Sequence, residues 1–319
     1  MKFIYITAFV NEGFFLEVKK GMNDAADMLG VGCTFTGTPD ADVDTLNRMV
    51  RQAIQEKYDG IAVDIFSPGI FTDVIKEAKD AGIPVIAFNI DDPGSGRLAG
   101  VQQNFYRAGK SLGERALPRI QENSTVIVAL HDEGVSALDE RAQGISEAIT
   151  GKNVKIKTVI TGNTPDLAKE AILKNLSSDV SAVLCTGQSD TEGAGLAIQT
   201  LAGAKPYLAG FDVSDGIKKL INEGIIDFSI DQQPYIQGFY PLLMLYQNAT
   251  RGIVPFDIDC GSDMIDKEST GFKVDSLPGC RPVCFNDSSL VRKIPGISLS
   301  FLQVFNIIQC FLVYSYILN

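Results

Sequence analysis

The chain has 319 residues, 45% hydrophobic and 21% charged, an ordinary globular composition long enough for two domains. Its 39 acidic side chains outnumber 28 basic ones, and the formal charge of −11 argues against nucleic acid, whose phosphate backbone is held by Lys and Arg. The single histidine, His131, has no ligand partner at helical spacing, and the Cys280/Cys284 pair lacks a second pair or a nearby histidine. No metal and no cofactor are therefore expected.

Apolar, β-rich runs alternate with runs of helical period. The first, Phe3–Thr7, leads through Asn11-Glu12-Gly13-Phe14-Phe15 into a helix whose Phe15, Val18, Met22, Ala25, Ala26 and Leu29 share one face; Gly30 suits a left-handed cap. Consecutive side chains cannot both face one sheet. Either one of the two phenylalanines is core and the other exposed, or both wall a ligand site at the carboxyl end of a parallel strand. Further strands are predicted at Val31–Thr36, Gly60–Ile65, Pro84–Asn89, Thr125–Leu130, Val154–Ile160, Ser181–Thr186, Pro206–Phe211 and Asp227–Ile230. The helices between and after them are predicted at Asp42–Lys57, Ile70–Ala81, Phe105–Gln121, Ser136–Thr150, Pro165–Ser177, Glu192–Leu201, Ser214–Asn222 and Tyr235–Thr250. Thr164-Pro165 reads as an N-cap followed by proline at the first helical position.

This alternation implies an α/β fold with parallel sheets and right-handed crossovers. The pattern divides into two similar halves, and the helix Tyr235–Thr250 is expected to return to the first. The expected organisation is two Rossmann-like parallel-sheet domains joined by a hinge, with a ligand cleft between them. The first comprises residues 1–101 and 233–260, the second 102–232. Residues 271–319 break the rhythm. Within them the uncharged stretch around 297–318 reaches the length of a membrane span, with Arg292 and Lys293 on one flank. It reads as a membrane anchor, a packed terminal helix or a shifted-frame tail. No basic-then-apolar leader opens the chain, which fits a cytoplasmic protein or one whose export signal is missing.

Five segments together carry a resemblance. They are Asn11-Glu12-Gly13-Phe14-Phe15, Pro84-Val85-Ile86-Ala87-Phe88-Asn89, Ser136 through Gly144 with Arg141 inside, Gly210-Phe211-Asp212, and Asp231-Gln232-Gln233-Pro234-Tyr235. In this order they resemble the ribose-binding branch of the periplasmic sugar-binding proteins, solute receptors of ABC importers with the periplasmic binding protein-like I fold. The resemblance covers residues 1 to about 268. It implies sugar-binding roles for Asn11, Phe14, Phe15, Asn89, Arg141, Asp212 and Gln232, and less directly for Glu12, His131, Ser189 and Asp190. It also implies an ABC permease as partner, hinge closure on the ligand, and a place in the periplasm or on the outer face of the cell membrane, with membrane contact through the tail if that is an anchor. The chain departs from the branch at Asn89-Ile90, where ribose receptors carry Asp-Arg, at Thr164 in place of an aromatic, and at Ser189 in place of an asparagine. These departures count against ribose itself.

The residue types suit a monosaccharide or polyol. Its hydroxyls both donate and accept, and its C–H face is apolar. Arg141 offers a fixed fork of N–H donors, Asp212 accepts charge-assisted bonds, Asn89 and Gln232 do both, and Phe14 and Phe15 supply ring faces. Taken singly, Arg141 could pair with Glu140 or Asp139 at the surface, Asp212 could cap a helix, and Gln232 could be linker. Sugar-responsive repressors carry a DNA-binding helix-turn-helix ahead of this core, whereas this chain begins in a strand. No glycine-rich phosphate loop, nucleophile elbow or carboxylate pair suggests an enzyme. A membrane-tethered or soluble sugar sensor for a signalling partner is the alternative reading.

Overall fold

The structure, a computed structural model, describes residues 1–269. The tail reading, including the stretch 297–318, lies outside the described residues. Among those described, no helix is long and apolar enough to cross a membrane.

The elements run β1 (Lys2–Thr7), α1 (Phe14–Leu29), β2 (Gly32–Gly37), α2 (Val43–Gln55), β3 (Gly60–Val63), α3 (Thr72–Asp80), β4 (Val85–Asn89), β5 (Ala99–Gln102) and α4 (Phe105–Ala116). Then follow β6 (Thr125–Leu130), α5 (Ser136–Ile149), β7 (Lys155–Ile160), α6 (Pro165–Asn175), β8 (Val180–Cys185), α7 (Gln188–Gln199), β9 (Tyr207–Phe211), α8 (Asp215–Asn222) and β10 (Phe228–Asp231). The last are α9 (Pro234–Arg251), β11 (Ile258–Asp259) and β12 (Asp263–Asp266). One sheet has the order β11-β5-β4-β3-β1-β2 and is parallel throughout; the other has the order β12-β10-β9-β8-β6-β7, with only β12 antiparallel. Each sheet with its helices makes a lobe. The chain passes between them after β5, after β10, and again between β11 and β12. The third passage is invisible to periodicity because its strands have two and four residues.

In each sheet the strand order reverses beside the first strand, between β1 and β3 and between β6 and β8. Loops at such switch points form the crevice where open α/β sheets bind ligands. The central strands are apolar on both faces, as parallel strands covered by helices must be, and Phe3, Tyr5, Phe88, Phe211 and Phe228 are fully buried. Full burial of such side chains contributes about 1.5–3 kcal/mol each.

Two helix pairs fix the site's supports. A Cβ on Gly21 of α1 would stand 2.0 Å from the Tyr235 carbonyl oxygen, and one on Gly238 of α9 would stand 1.9 Å from that of Val18. Only glycines allow this approach, and the buried Tyr5 hydroxyl donates to the Gly238 carbonyl at 2.7 Å, locking α9 to the first sheet. In the second lobe Gly109 of α4 lies against the Arg141 backbone, where a Cβ would meet the Arg141 carbonyl oxygen at 2.2 Å. The predicted helix over 105–121 ends earlier, at Ala116, and tightens into a 3₁₀ turn at Leu117–Arg119, where Pro118 cannot continue the α-helical bonding. Helix α7 starts at Gln188 rather than Glu192, because Asp190 reaches back to cap it with its carboxylate.

Candidate ligand site between the lobes

A cavity of about 380 Å³ lies between the lobes, within the usual range for small-molecule sites. The first lobe supplies the loop after β1 with Phe9, Asn11, Glu12 and Gly13, the start of α1 with Phe14 and Phe15, and Asp64, Phe66, Asn89 and Ile90 from the ends of β3 and β4. The second lobe supplies His131, Arg141 on α5, Asn163 to Pro165, Gly187 to Ser189, and Asp212 after β9; Gln232 comes from the second crossing. Every residue that the sequence nominated lines this cavity except Asp190. The lobes meet across it: Ser136 donates to the Phe66 carbonyl from its backbone N–H at 3.3 Å and its hydroxyl at 3.4 Å.

Asn89 and Asp212 occupy matching places in the two lobes. Both adopt the left-handed conformation, at φ 62° and φ 69°, which asparagine and aspartate tolerate better than most side chains. Asp212 does not cap α8; Ser214 does. Instead the Asp212 carboxylate, 5% exposed, accepts from Gln232 Nε2 at 2.6 Å, so Gln232 steadies Asp212 as well as lining the cavity.

Arg141 is not a surface ion pair. It is 2% exposed, and its guanidinium lies 4.1 Å from the Phe211 ring centroid and 5.0 Å from that of Phe105. Nη1 donates to the Thr186 carbonyl at 2.9 Å and Nη2 to Gln103 Oε1 at 2.8 Å, while its buried Nε has no partner. Gln103 in turn donates to the Gly261 carbonyl at 2.8 Å. The arginine is thus tied to two of the three crossings. Burial pulls its pKa down to about 10, against the attraction of Asp212, Asp190 and Glu140.

Phe15 is buried and Phe14 half-buried, with their rings edge to face at 5.2 Å. Both readings of this pair hold in part: Phe15 also packs on Phe35 in the core, yet both rings border the cavity. Asp190 stands behind the wall. Its Oδ2 accepts from the N–H groups of Thr186 at 2.7 Å and Gly187 at 3.1 Å, and its Oδ1 lies 3.6 Å from His131 Nδ1, an ion-pair separation rather than a hydrogen bond. Burial lowers the His131 pKa, but Asp190, Glu12 and Asp212 outweigh it and leave the value raised. Glu12 is raised by burial and by Asp212, with His131 opposing. Asp212 is raised by burial, with Arg141 and Gln232 opposing.

Sequence reasoning missed Asp64, Phe9, Phe66 and Gln103. The signal for Asp64 was present: a carboxylate interrupts the apolar run Ile61-Ala62-Val63 at the carboxyl end of a strand. Phe9 sits at φ 52°, an uncommon backbone state for an aromatic, and meets Phe66 edge to face at 6.3 Å. Thr164 lines the cavity and caps α6, while Phe9 and Phe66 bring two more rings from the first lobe. Among the described residues no group of acidic, cysteine or histidine side chains forms a metal site.

Two parallel-sheet lobes closing on a polar, ring-lined cavity at their switch points define a solute-binding protein. The sequence profile of the periplasmic binding protein domain matches residues 3–252, and the chain belongs to that family. It is 30% identical over 284 residues to the xylose/arabinose-binding protein XylF of Sulfolobus acidocaldarius, covering 83% of this chain and 70% of that protein. It is 22% identical over 235 residues to the ribose import binding protein RbsB of Escherichia coli, covering 72% and 78% respectively. Among solved structures, a carbohydrate transporter from Acidothermus cellulolyticus in complex with myo-inositol is similar at TM-score 0.75 and 26% identity, covering 84% of this chain and 95% of that one. A solute-binding protein from Burkholderia graminis in complex with D-arabinose has the same fold at TM-score 0.80 and 22% identity, covering 85% and 97%. Family membership and a relative named as a xylose/arabinose-binding protein agree with the expectation of a receptor rather than an enzyme.

Proposed function

We propose that the protein captures a monosaccharide or related polyol by closure of its two lobes and delivers it to an ABC importer outside the cytoplasm. The observation that carries this is the cavity between the lobes, which Arg141, Asp212 and Asn89 line together with the rings of Phe9, Phe14, Phe15 and Phe66. Arg141 donates to ring or hydroxyl oxygens, Asp212 and Asn89 accept from hydroxyls, and Glu12, His131 and Ser189 complete the polar rim with Asn11 and Gln232. The rings cover the C–H face. Asp190 acts from behind by holding His131 and the start of α7. The hinge lies in the crossings near 100–104 and 231–233, with residues 1–101 and 233–260 moving against 102–232. The names of the relatives favour a pentose such as xylose or arabinose, and Ile90 in place of the second arginine favours a ligand other than ribose.

The test is a thermal-shift screen of pentoses, hexoses and inositols, followed by calorimetry. A ligand at a hundred times its Kd stabilises by about 2.7 kcal/mol, or roughly 4–5 °C in a protein of this size. If no sugar or polyol raises the melting temperature, the reading fails.

A further inference from the structure

Asp64 has no part in the resemblance, yet it is one of the most completely buried carboxyls bordering the cavity, at 3% exposure. Its Oδ2 accepts from the Thr7 hydroxyl at 2.8 Å and from Asn89 Nδ2 at 3.1 Å, and its Oδ1 accepts from the Ile90 N–H at 3.2 Å. A carboxylate accepts only. With Asp64 ionised, the Asn89 amide must therefore turn its NH₂ inward, because the reverse orientation sets oxygen against oxygen. Asn89 Oδ1 is then left for the cavity.

We propose that Asp64 is a positioning residue whose protonation state sets the polarity that Asn89 presents to the bound sugar. Ionised, it holds the amide by its NH₂ and offers Oδ1 as an acceptor for a ligand hydroxyl. The carboxylate also polarises the amide and strengthens that acceptor. Protonated, Asp64 donates its own O–H to Asn89 Oδ1 and frees the NH₂ to face the ligand. This rests on the proposed sugar site, which it deepens: strand β4 reads the ligand as a hydroxyl donor above neutral pH and tolerates an acceptor below it.

The two states lie within reach. Burial raises Asp64 to about 7, the bonds from Thr7, Asn89 and Ile90 pull it back, and Glu12, on the loop after β1, is the charged neighbour that pushes it further up. All these groups belong to the first lobe, so the arrangement does not depend on closure.

The test has a ligand-free arm and a binding arm. In ligand-free protein, the side-chain ¹⁵N resonance of Asn89 is expected to titrate with a midpoint near pH 7, to lose that titration in Asp64→Asn, and to titrate higher in Thr7→Val, which removes one bond to the carboxylate. In calorimetry with D-xylose, Asn89→Ala is expected to weaken binding about tenfold at about pH 8.5 and about threefold at about pH 5.5. In the Asp64→Asn background the two penalties become equal. An Asn89 resonance that does not titrate between these pH values overturns the proposal. So does a pH-dependent penalty that survives Asp64→Asn. If wild-type protein does not bind D-xylose, the choice of sugar fails and the Asn89 titration alone decides the role of Asp64.

Discussion

Arg141→Met separates binding from folding. The side chain uses one N–H each of Nη1 and Nη2 on Thr186 and Gln103, and the residue lines the cavity with the second N–H of each nitrogen left to donate to a ligand. Each charge-assisted bond to a ligand is worth about 1.5–3 kcal/mol, and loss of two raises Kd at least about 150-fold. The effect on the fold is smaller, because two terms oppose. Truncation leaves the Thr186 carbonyl and Gln103 Oε1 unpaired, at about 1–3 kcal/mol each. Against this, depression of the guanidinium from 12.5 to about 10 means that burying its charge costs about 3 kcal/mol, which methionine avoids. Methionine also keeps apolar contact with Phe211 and Phe105. The expected result is near-total loss of sugar binding by calorimetry, with a melting temperature within a few degrees of wild type. Wild-type affinity would refute the assignment of Arg141. A collapse of the ligand-free protein by more than about 10 °C would show that its role is to hold α5 and the crossings together.

Three further outcomes follow from particular contacts. Gly238→Ala places a methyl group 1.9 Å from the Val18 carbonyl oxygen, so α9 must move off α1; destabilisation of about 2–4 kcal/mol is expected in denaturant melts, and a change under 0.5 kcal/mol would contradict the packing. Ser136→Pro removes the N–H that reaches Phe66 from the second lobe, at a first-turn position that accepts proline after an extended Val135. Sugar affinity should fall about tenfold through faster release while ligand-free stability holds, and unchanged release would deny that this contact closes the cleft. Asp64 makes the third. Because its folded pKa is raised from 3.8 to about 7, its contribution is full below about pH 4 and is lost as pH rises through 7, by up to roughly 4 kcal/mol. Melting temperatures of wild type should therefore fall relative to Asp64→Asn across this range; parallel profiles would rule out the shift.

The fold was legible because its signals are local. Strand and helix periods, Gly30 as a left-handed cap and Thr164-Pro165 as a helix start are set by residues a few positions apart. The alternation then leaves few topologies open. Strands β11 and β12 escaped because two and four residues carry no period; they exist only because neighbouring strands already offer an edge.

The candidate site was legible to the extent that its residues stand in recognisable segments, Asn89 and Asp212 at the ends of strands and Phe14 and Arg141 on the helices that follow β1 and β6. What sequence could not supply was the direction in which each side chain points. Asp190 stands in the expected segment, but its carboxylate turns away to cap α7, and only the backbone N–H groups of Thr186 and Gly187 decide that. Gln103 belongs to a crossing and becomes relevant only when folding brings Arg141 against it. Asp64 shows the limit most clearly. Its position marks it as a site residue, yet its contribution comes from what surrounds it: Thr7 and Asn89 are 57 and 25 residues away along the chain and meet the carboxylate only once β1, β3 and β4 are side by side. With Asp64 ionised, that encounter turns an asparagine able to donate or accept into one that accepts, and so converts a generic polar contact into a choice between ligands.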